Sequence, residues 1–204
     1  MVTIDNFKVK QSDKIKYLGI YLDNKLKFDK SISLVKKKIF PVLQNFRINR
    51  KFISDNIAAL WYKSIIRPIL EYGASVHYDI RKSIKNNLVS IENRCLKVID
   101  CGTKAVTRQK FNIPNIENRL KYLYLVSFFK LSHNHVPSID DSLLPQRANP
   151  STRLGTSGGF LLAEGTIYLG CKLFNDLPLT IRGIQSLKEF KKELKLFLMY
   201  KGEL

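Results

Sequence analysis

Three cysteines in 204 residues, Cys95, Cys101 and Cys171, form no even disulfide framework. With no C-x-x-C or H-x₃₋₅-H spacing they also give no zinc signature. Buried apolar thiols in a reducing intracellular compartment, cytoplasmic or nuclear, are the expectation. Long apolar runs are missing too. The most apolar stretch, Tyr122 to Phe129, is bounded by Lys121 and Lys130 and falls far short of the ~20 residues that span a bilayer. It reads as a buried helix segment, and no membrane partner is expected. Met1 to Lys10 alternates apolar and polar residues, unlike a signal peptide. There is no glycine-rich phosphate loop with its lysine and no Ser/His/Asp or Cys/His arrangement. Asp140-Asp141 is the one adjacent carboxylate pair, and its proline-flanked setting points to a solvated loop or a cap rather than a Mg²⁺ site. His133, His135 and His77 read as surface or structural residues. No catalytic residue, metal ligand or cofactor is therefore assigned.

Acidic residues are scarce: 17 against 35 Lys and Arg, for a net charge of +18 and an isoelectric point near 9.9. Such an imbalance favours a polyanionic partner. Residues 1–50 hold 12 basic and 4 acidic side chains, so the N-terminal quarter is the candidate anion-facing part. Lys14, Lys16, Lys25, Lys27, Lys36, Lys37, Lys38, Arg47, Arg50 and Lys51 are the candidate phosphate contacts, which position a nucleic acid without reading its sequence. Tyr17, Tyr21 and Phe28 are candidates for stacking.

What is abundant is core: 45% of residues are hydrophobic. Val2–Ile4 with Phe7–Val9, then Ile15–Leu22, alternate as strands around Gln11-Ser12-Asp13 and predict a hairpin over 1–23, with Gly19 inside a strand as a bulge or close backbone approach. Asp29 or Ser31 is positioned to cap a helix whose inner face is Ile32, Val35, Ile39, Val42, Leu43 and Phe46, with Pro41 kinking or splitting it. Ser54 is positioned to cap a second helix with Ile57, Leu60, Trp61, Ile65 and Ile69 inward, bent at Pro68 and stopped by Gly73. Ser83 begins a third, burying Ile84, Leu88, Ile91, Cys95 and Val98, with Gly102 past its end. The expected class is mostly α with a small β component. Residues 24–102 form a helical bundle and 103–150 a helix from Ile116 to about Leu131 plus a connection. Residues 151–204 form a small subdomain with short strands at Phe160–Leu162 and Thr166–Leu169. A closing helix follows, with a Ser186/Glu189 capping box and Leu187, Phe190, Leu194, Phe197 and Leu198 on its apolar face.

Four segments in order, KYLGIYLDNKLKF (16–28), LWYKSIIRPILEYGASVHYD (60–79), IENRCLKVI (91–99) and KLFNDLPLTIRGIQSLKEFKKELKLFL (172–198), resemble non-LTR (LINE-like) retrotransposon reverse transcriptases downstream of the catalytic palm motif. The resemblance covers nearly the whole chain, with Phe174 where the family usually has Trp. It implies that the YLG hairpin is the palm–thumb junction, the primer grip, with Lys16, Tyr17, Leu18 and Gly19 as grip residues. It also implies that the following helices form a thumb, with Lys36, Lys37, Lys38 and Arg47 on the phosphate backbone. The implied partner is an RNA or RNA–DNA primer–template, together with a palm and fingers segment. The family's Tyr-x-Asp-Asp turn and other metal-binding Asp lie upstream of the hairpin, so this fragment of an RNA-directed DNA polymerase is expected to be inactive alone. Mg²⁺ is expected only for a full polymerase. The alternative is a degraded transposon remnant, structural or interacting, with no nucleic-acid role.

Overall fold

A computed structural model describes residues 2–4, 7–9, 12–25, 28–74, 82–100, 102–133 and 166–200. The fold is mostly α with a small N-terminal β component. The β part is two hairpins rather than one. Strand β1 (Val2–Ile4) pairs antiparallel with β2 (Phe7–Val9), and β3 (Lys14–Tyr17) with β4 (Ile20–Asp23), in separate two-stranded sheets. The register Tyr17↔Ile20 makes Leu18-Gly19 a two-residue loop, with φ of 46° and 81°. Positive φ at both central residues is the type I′ pattern, whose twist matches that of the strands. Gly19 is thus a turn residue and not the strand-interior glycine expected from the alternation.

Helix α1 (Asp29–Asn49) has neither Asp29 nor Ser31 as its cap. Its N-cap is Phe28 at φ 57°, without a side-chain bond. Asp23 shapes the entry instead, accepting from the amides of Lys25 (3.1 Å) and Phe28 (2.9 Å). Ser31 is buried, and its hydroxyl accepts from the Tyr21 amide at 2.9 Å and donates to the Tyr21 carbonyl at 3.2 Å, clipping β4 to the helix. Pro41 does not split α1. It lies on the exposed side, where water is at hand to replace the N–H that a proline withholds from the preceding turn. The inner face is as expected, with Ile32, Ile39, Leu43 and Phe46 buried.

A 3₁₀ turn (Arg50–Phe52) leads to Ser54, which caps α2 (Asp55–Trp61) by accepting from the Ile57 amide. A π-helical turn (Tyr62–Ile66) joins α2 to α3 (Arg67–Glu71), with Gly73 at φ 74° beyond its end. The buried face here is not the predicted one. Ala58, Ala59, Tyr62, Ile66 and Leu70 are inside, while Ile57, Leu60 and Ile65 are exposed. Trp61 is half-buried and stacked on Phe46, ring centres 3.8 Å apart. Helix α4 (Lys82–Ile99) buries Leu88, Ile91, Cys95, Leu96 and Ile99. Helix α5 (Lys104–Phe111), capped by Thr103, is additional to the helices that the sequence pattern predicts.

Helix α6 (Ile116–Ser132) is shared between two clusters of buried residues. Ile116 and Leu120 close the core of α1 to α5. Leu125, Val126, Phe128 and Phe129 join the second core with α7 (Thr166–Asn175), α8 (Leu179–Arg182) and α9 (Leu187–Tyr200). Thr166–Leu169, expected as a strand, begins α7. The Phe129 and Phe190 rings stack at 4.1 Å, and Phe190, Leu194 and Leu198 are buried as the closing-helix pattern predicts. Gly170 is where α7 meets α6: a Cβ there would lie 2.1 Å from Phe128 Cδ2. Gly→Ala in an open helix stabilises by about 1 kcal/mol. Gly170→Ala is expected instead to destabilise by about 1–3 kcal/mol through overpacking. A lowered urea midpoint at unchanged slope would show it, and a raised midpoint would refute it.

His77, Cys101, His135, Asp140, Asp141 and Phe160–Leu162 lie outside the described residues. No described helix is long and apolar enough to cross a membrane.

Candidate nucleic-acid interface

The cations fall into two groups, and the few acids decide which is which. Glu92 is fully buried. It accepts from the Tyr62 hydroxyl (3.0 Å), Arg108 Nη2 (2.5 Å) and the amide of Ile116, the first residue of α6 (3.2 Å). A carboxylate at a helix N-terminus is favoured by the dipole, and three donors compensate its desolvation. Glu71 similarly takes both Arg119 Nε and Nη2 (2.8 and 3.1 Å) and Arg67 Nε (2.8 Å), locking α3 to α6. Asp55 binds Arg50 and Lys110, and Lys110 also reaches Asp100 at 3.5 Å. The bond from Lys110 and then that from Arg50 hold the Asp55 carboxyl below its ordinary range.

Arg50, expected on the phosphate backbone, belongs to this internal group. Its Nε donates to the carbonyls of Val98 (2.9 Å) and Ile99 (3.2 Å), Nη1 to Ile53 (2.7 Å), and Nη2 to Ile99 (2.6 Å) and the Asp55 carboxylate. It serves the free carbonyls that end α4, so the geometry commits its guanidinium to the fold. Lys36 is also engaged, bonding Asn87 Oδ1 on α4 at 3.1 Å. Two residues on, about 200° of helical rotation away, Lys38 faces the opposite flank. The Lys36-Lys37-Lys38 run is therefore not one patch.

The remaining described candidates are exposed: Lys14, Lys16, Tyr17, Leu18 and Gly19 on the β3–β4 hairpin, Lys25 just beyond it, Lys37 and Lys38 on the outer half of α1, and Arg47 and Lys51 at its end, while Lys27 lies outside the described residues. Arg47 meets Gln44 at 3.4 Å and the Lys51 ammonium lies 4.9 Å from the Phe52 ring centre, both contacts in solvent. Both faces of β3 are open to water. Tyr17 and Leu18 are 64% and 74% exposed, so they do not pack the hairpin onto the helices. Of the other two stacking candidates, Phe28 is buried and Tyr21 is half-buried under the Lys30 ammonium, 3.9 Å from its ring centre.

Between the hairpin turn, α1 and α3 lies a cleft of about 210 Å³. Leu34, Val35, Pro68 and Ile69 form its apolar lining, and Lys38 and Tyr72 border it. The Tyr72 hydroxyl donates to the Leu18 carbonyl, holding the turn against α3, and its ring carbons lie 3.6–3.8 Å from where a Gly19 Cβ would be. This cleft was not read from the sequence: Tyr72 is 54 positions from Leu18, and no local pattern pairs them. Glu92 did leave a signal, since it sits at i+4 from Leu88 on the apolar stripe of α4.

Burial pushes the Cys95 thiol up to about 12 and raises that of Cys171, so neither is a reactive thiolate. Among the described residues no group of three or more His, Cys, Asp and Glu is placed to hold a metal ion. Comparison with protein-family models, curated proteins and solved structures finds no match.

Proposed function

We propose that this chain binds primer–template nucleic acid through its sugar–phosphate backbone, without sequence preference, as the thumb-side part of a retrotransposon-type RNA-directed DNA polymerase. The chain supplies no catalytic carboxylate in this reading. It rests on the sorting of charge. Arg50, Arg67, Arg108 and Arg119 are used inside the fold and Lys110 is paired with Asp55 at the surface, while Lys14, Lys16, Lys37, Lys38, Arg47 and Lys51 stay exposed on the hairpin and α1 without a carboxylate partner in these pairs. An exposed Tyr17-Leu18-Gly19 turn between the two lysine sets matches the place a primer grip takes in the resembling family.

The test is binding of an RNA–DNA hybrid as a function of salt. Each phosphate contact contributes about 0.9 to the logarithmic salt slope. The double variant Lys37→Glu/Lys38→Glu is therefore expected to lower the slope by about 2 and weaken binding at least tenfold. Its thermal stability should stay within about 0.5 kcal/mol of the parent, since both side chains are exposed. Unchanged hybrid binding in that variant, or equal affinity for heparin, would sink the reading.

A further inference from the structure

The geometry points to a second element within that interface: the cleft between the β3–β4 turn, α1 and α3 receives one unpaired nucleobase at the end of a duplex. This rests on the nucleic-acid reading above and adds to it where a backbone-only surface has no need of a pocket. Four observations carry it. The cleft is about 210 Å³, below the ~300–1,000 Å³ of sites that enclose a drug-sized ligand, which suits a single planar ring system. Leu34, Val35, Pro68 and Ile69 give it apolar walls, and none of its lining residues is acidic. Lys38 borders it, with Lys37 next along α1 and Lys14 and Lys16 exposed on the adjoining hairpin. The occupant that matches is therefore small and largely apolar with anionic groups close by, a description that a nucleotide within a strand fits. Finally, the Tyr72–Leu18 bond fixes the turn that walls the cleft, so the pocket exists before the ligand arrives.

The base must be unpaired. Extracting a paired base costs a few kcal/mol of stacking and pairing, and an overhanging base avoids most of that cost. The protein is then predicted to distinguish a duplex end carrying an overhang from a blunt one, although it reads no sequence.

The probe is an RNA–DNA hybrid with a single-nucleotide overhang bearing 2-aminopurine, set against the same hybrid with an abasic overhang and against a blunt hybrid. The base-bearing overhang is expected to bind about tenfold more tightly than the abasic one, within the range that burying one base supports, and its emission should change on binding. Leu34→Trp, which fills the cleft from a half-buried position, should abolish that preference and leave the salt slope for the blunt hybrid intact. Equal affinity for base and abasic overhangs, with salt-dependent binding to both, overturns the cleft assignment and spares the backbone reading. Absence of salt-dependent binding to any of the three overturns both readings. The apolar side chain of an acidic protein is the rival occupant. If a short Glu-rich peptide carrying one Phe binds more tightly than the overhang, and Leu34→Trp removes that binding, the proposal falls.

Discussion

Glu92→Ala is expected to lower the melting temperature by roughly 6–20 °C, from a loss of about 3–5 kcal/mol at ~2–4 °C per kcal/mol for a chain of this size. The substitution removes one acceptor from three donors on three different elements. Tyr62 is fully buried and loses its partner, Arg108 loses the carboxylate 2.5 Å from its Nη2, and the amide of Ile116 loses its acceptor at the start of α6. Arg108 is only partly buried and keeps Asn93 Oδ1 at 3.4 Å, so most of the loss comes from the buried Tyr62 hydroxyl and Ile116 amide left without an acceptor. Tyr62→Phe, which takes away one neutral donor, should cost only about 1 kcal/mol. Thermal unfolding followed by circular dichroism separates the two. Equal, small losses in both variants would show that Glu92 does not organise the junction of the π turn, α4, α5 and α6.

Arg50→Lys is expected to destabilise by about 1.5–3 kcal/mol, nearly as much as Arg50→Ala, because the role depends on the guanidinium fork and not on the charge. Its donors meet carbonyls of Val98, Ile99 and Ile53 together with the Asp55 carboxylate, and a single ammonium cannot reach that set. Chemical denaturation measures the loss. For hybrid binding the contrast is sharp, since the salt slope of the folded variant should equal that of the parent. A preserved midpoint in Arg50→Lys with a changed slope would return Arg50 to the phosphate-binding set. The same cluster gives a pH dependence. Asp55 has a depressed folded pKa, so its stabilising contribution is present above the unfolded carboxylate's ~3.9. That contribution is lost as pH falls through the lower folded value.

Where one apolar stripe dominated a segment, the sequence already revealed the packing: Ile32, Ile39, Leu43 and Phe46 in α1, Leu88, Ile91 and Cys95 in α4, and Phe190, Leu194 and Leu198 in α9 are all buried. The α2–α3 segment offered two stripes one residue apart. The bulkier, Ile57-Trp61-Ile65-Ile69, was the natural choice, yet the core takes Ala58-Tyr62-Ile66-Leu70. Small alanines admit close helix approach, Tyr62 supplies the bond to Glu92, and the π turn keeps a strict four-residue spacing in phase. None of these is a hydrophobicity signal. Helix α5 escaped notice because KAVTRQKF carries little apolar weight, burying only Thr107 and Phe111. Thr166–Leu169 has strand-like residues, but the helix it begins packs on α6 from Gly170 onward, and that overrides the local preference. In the candidate interface the excess of cations was plain from composition. Their division was not, because Arg50 meets carbonyls 48 and 49 positions away and Lys36 an amide 51 away. Sequence shows how many positive charges there are, and only the fold shows which are already spoken for.

The Ser31 clip has a consequence for how the hairpin comes and goes. A two-stranded ribbon is marginal alone in water, and here both backbone groups of Tyr21 are held by a hydroxyl in the first turn of α1. Fraying of that turn and release of β4 are therefore one opening event. The turn bearing Tyr17 and Leu18, though its side chains are exposed, is tied to α3 through Tyr72 and inherits the local unfolding energy of the helices beneath it and not that of a loop.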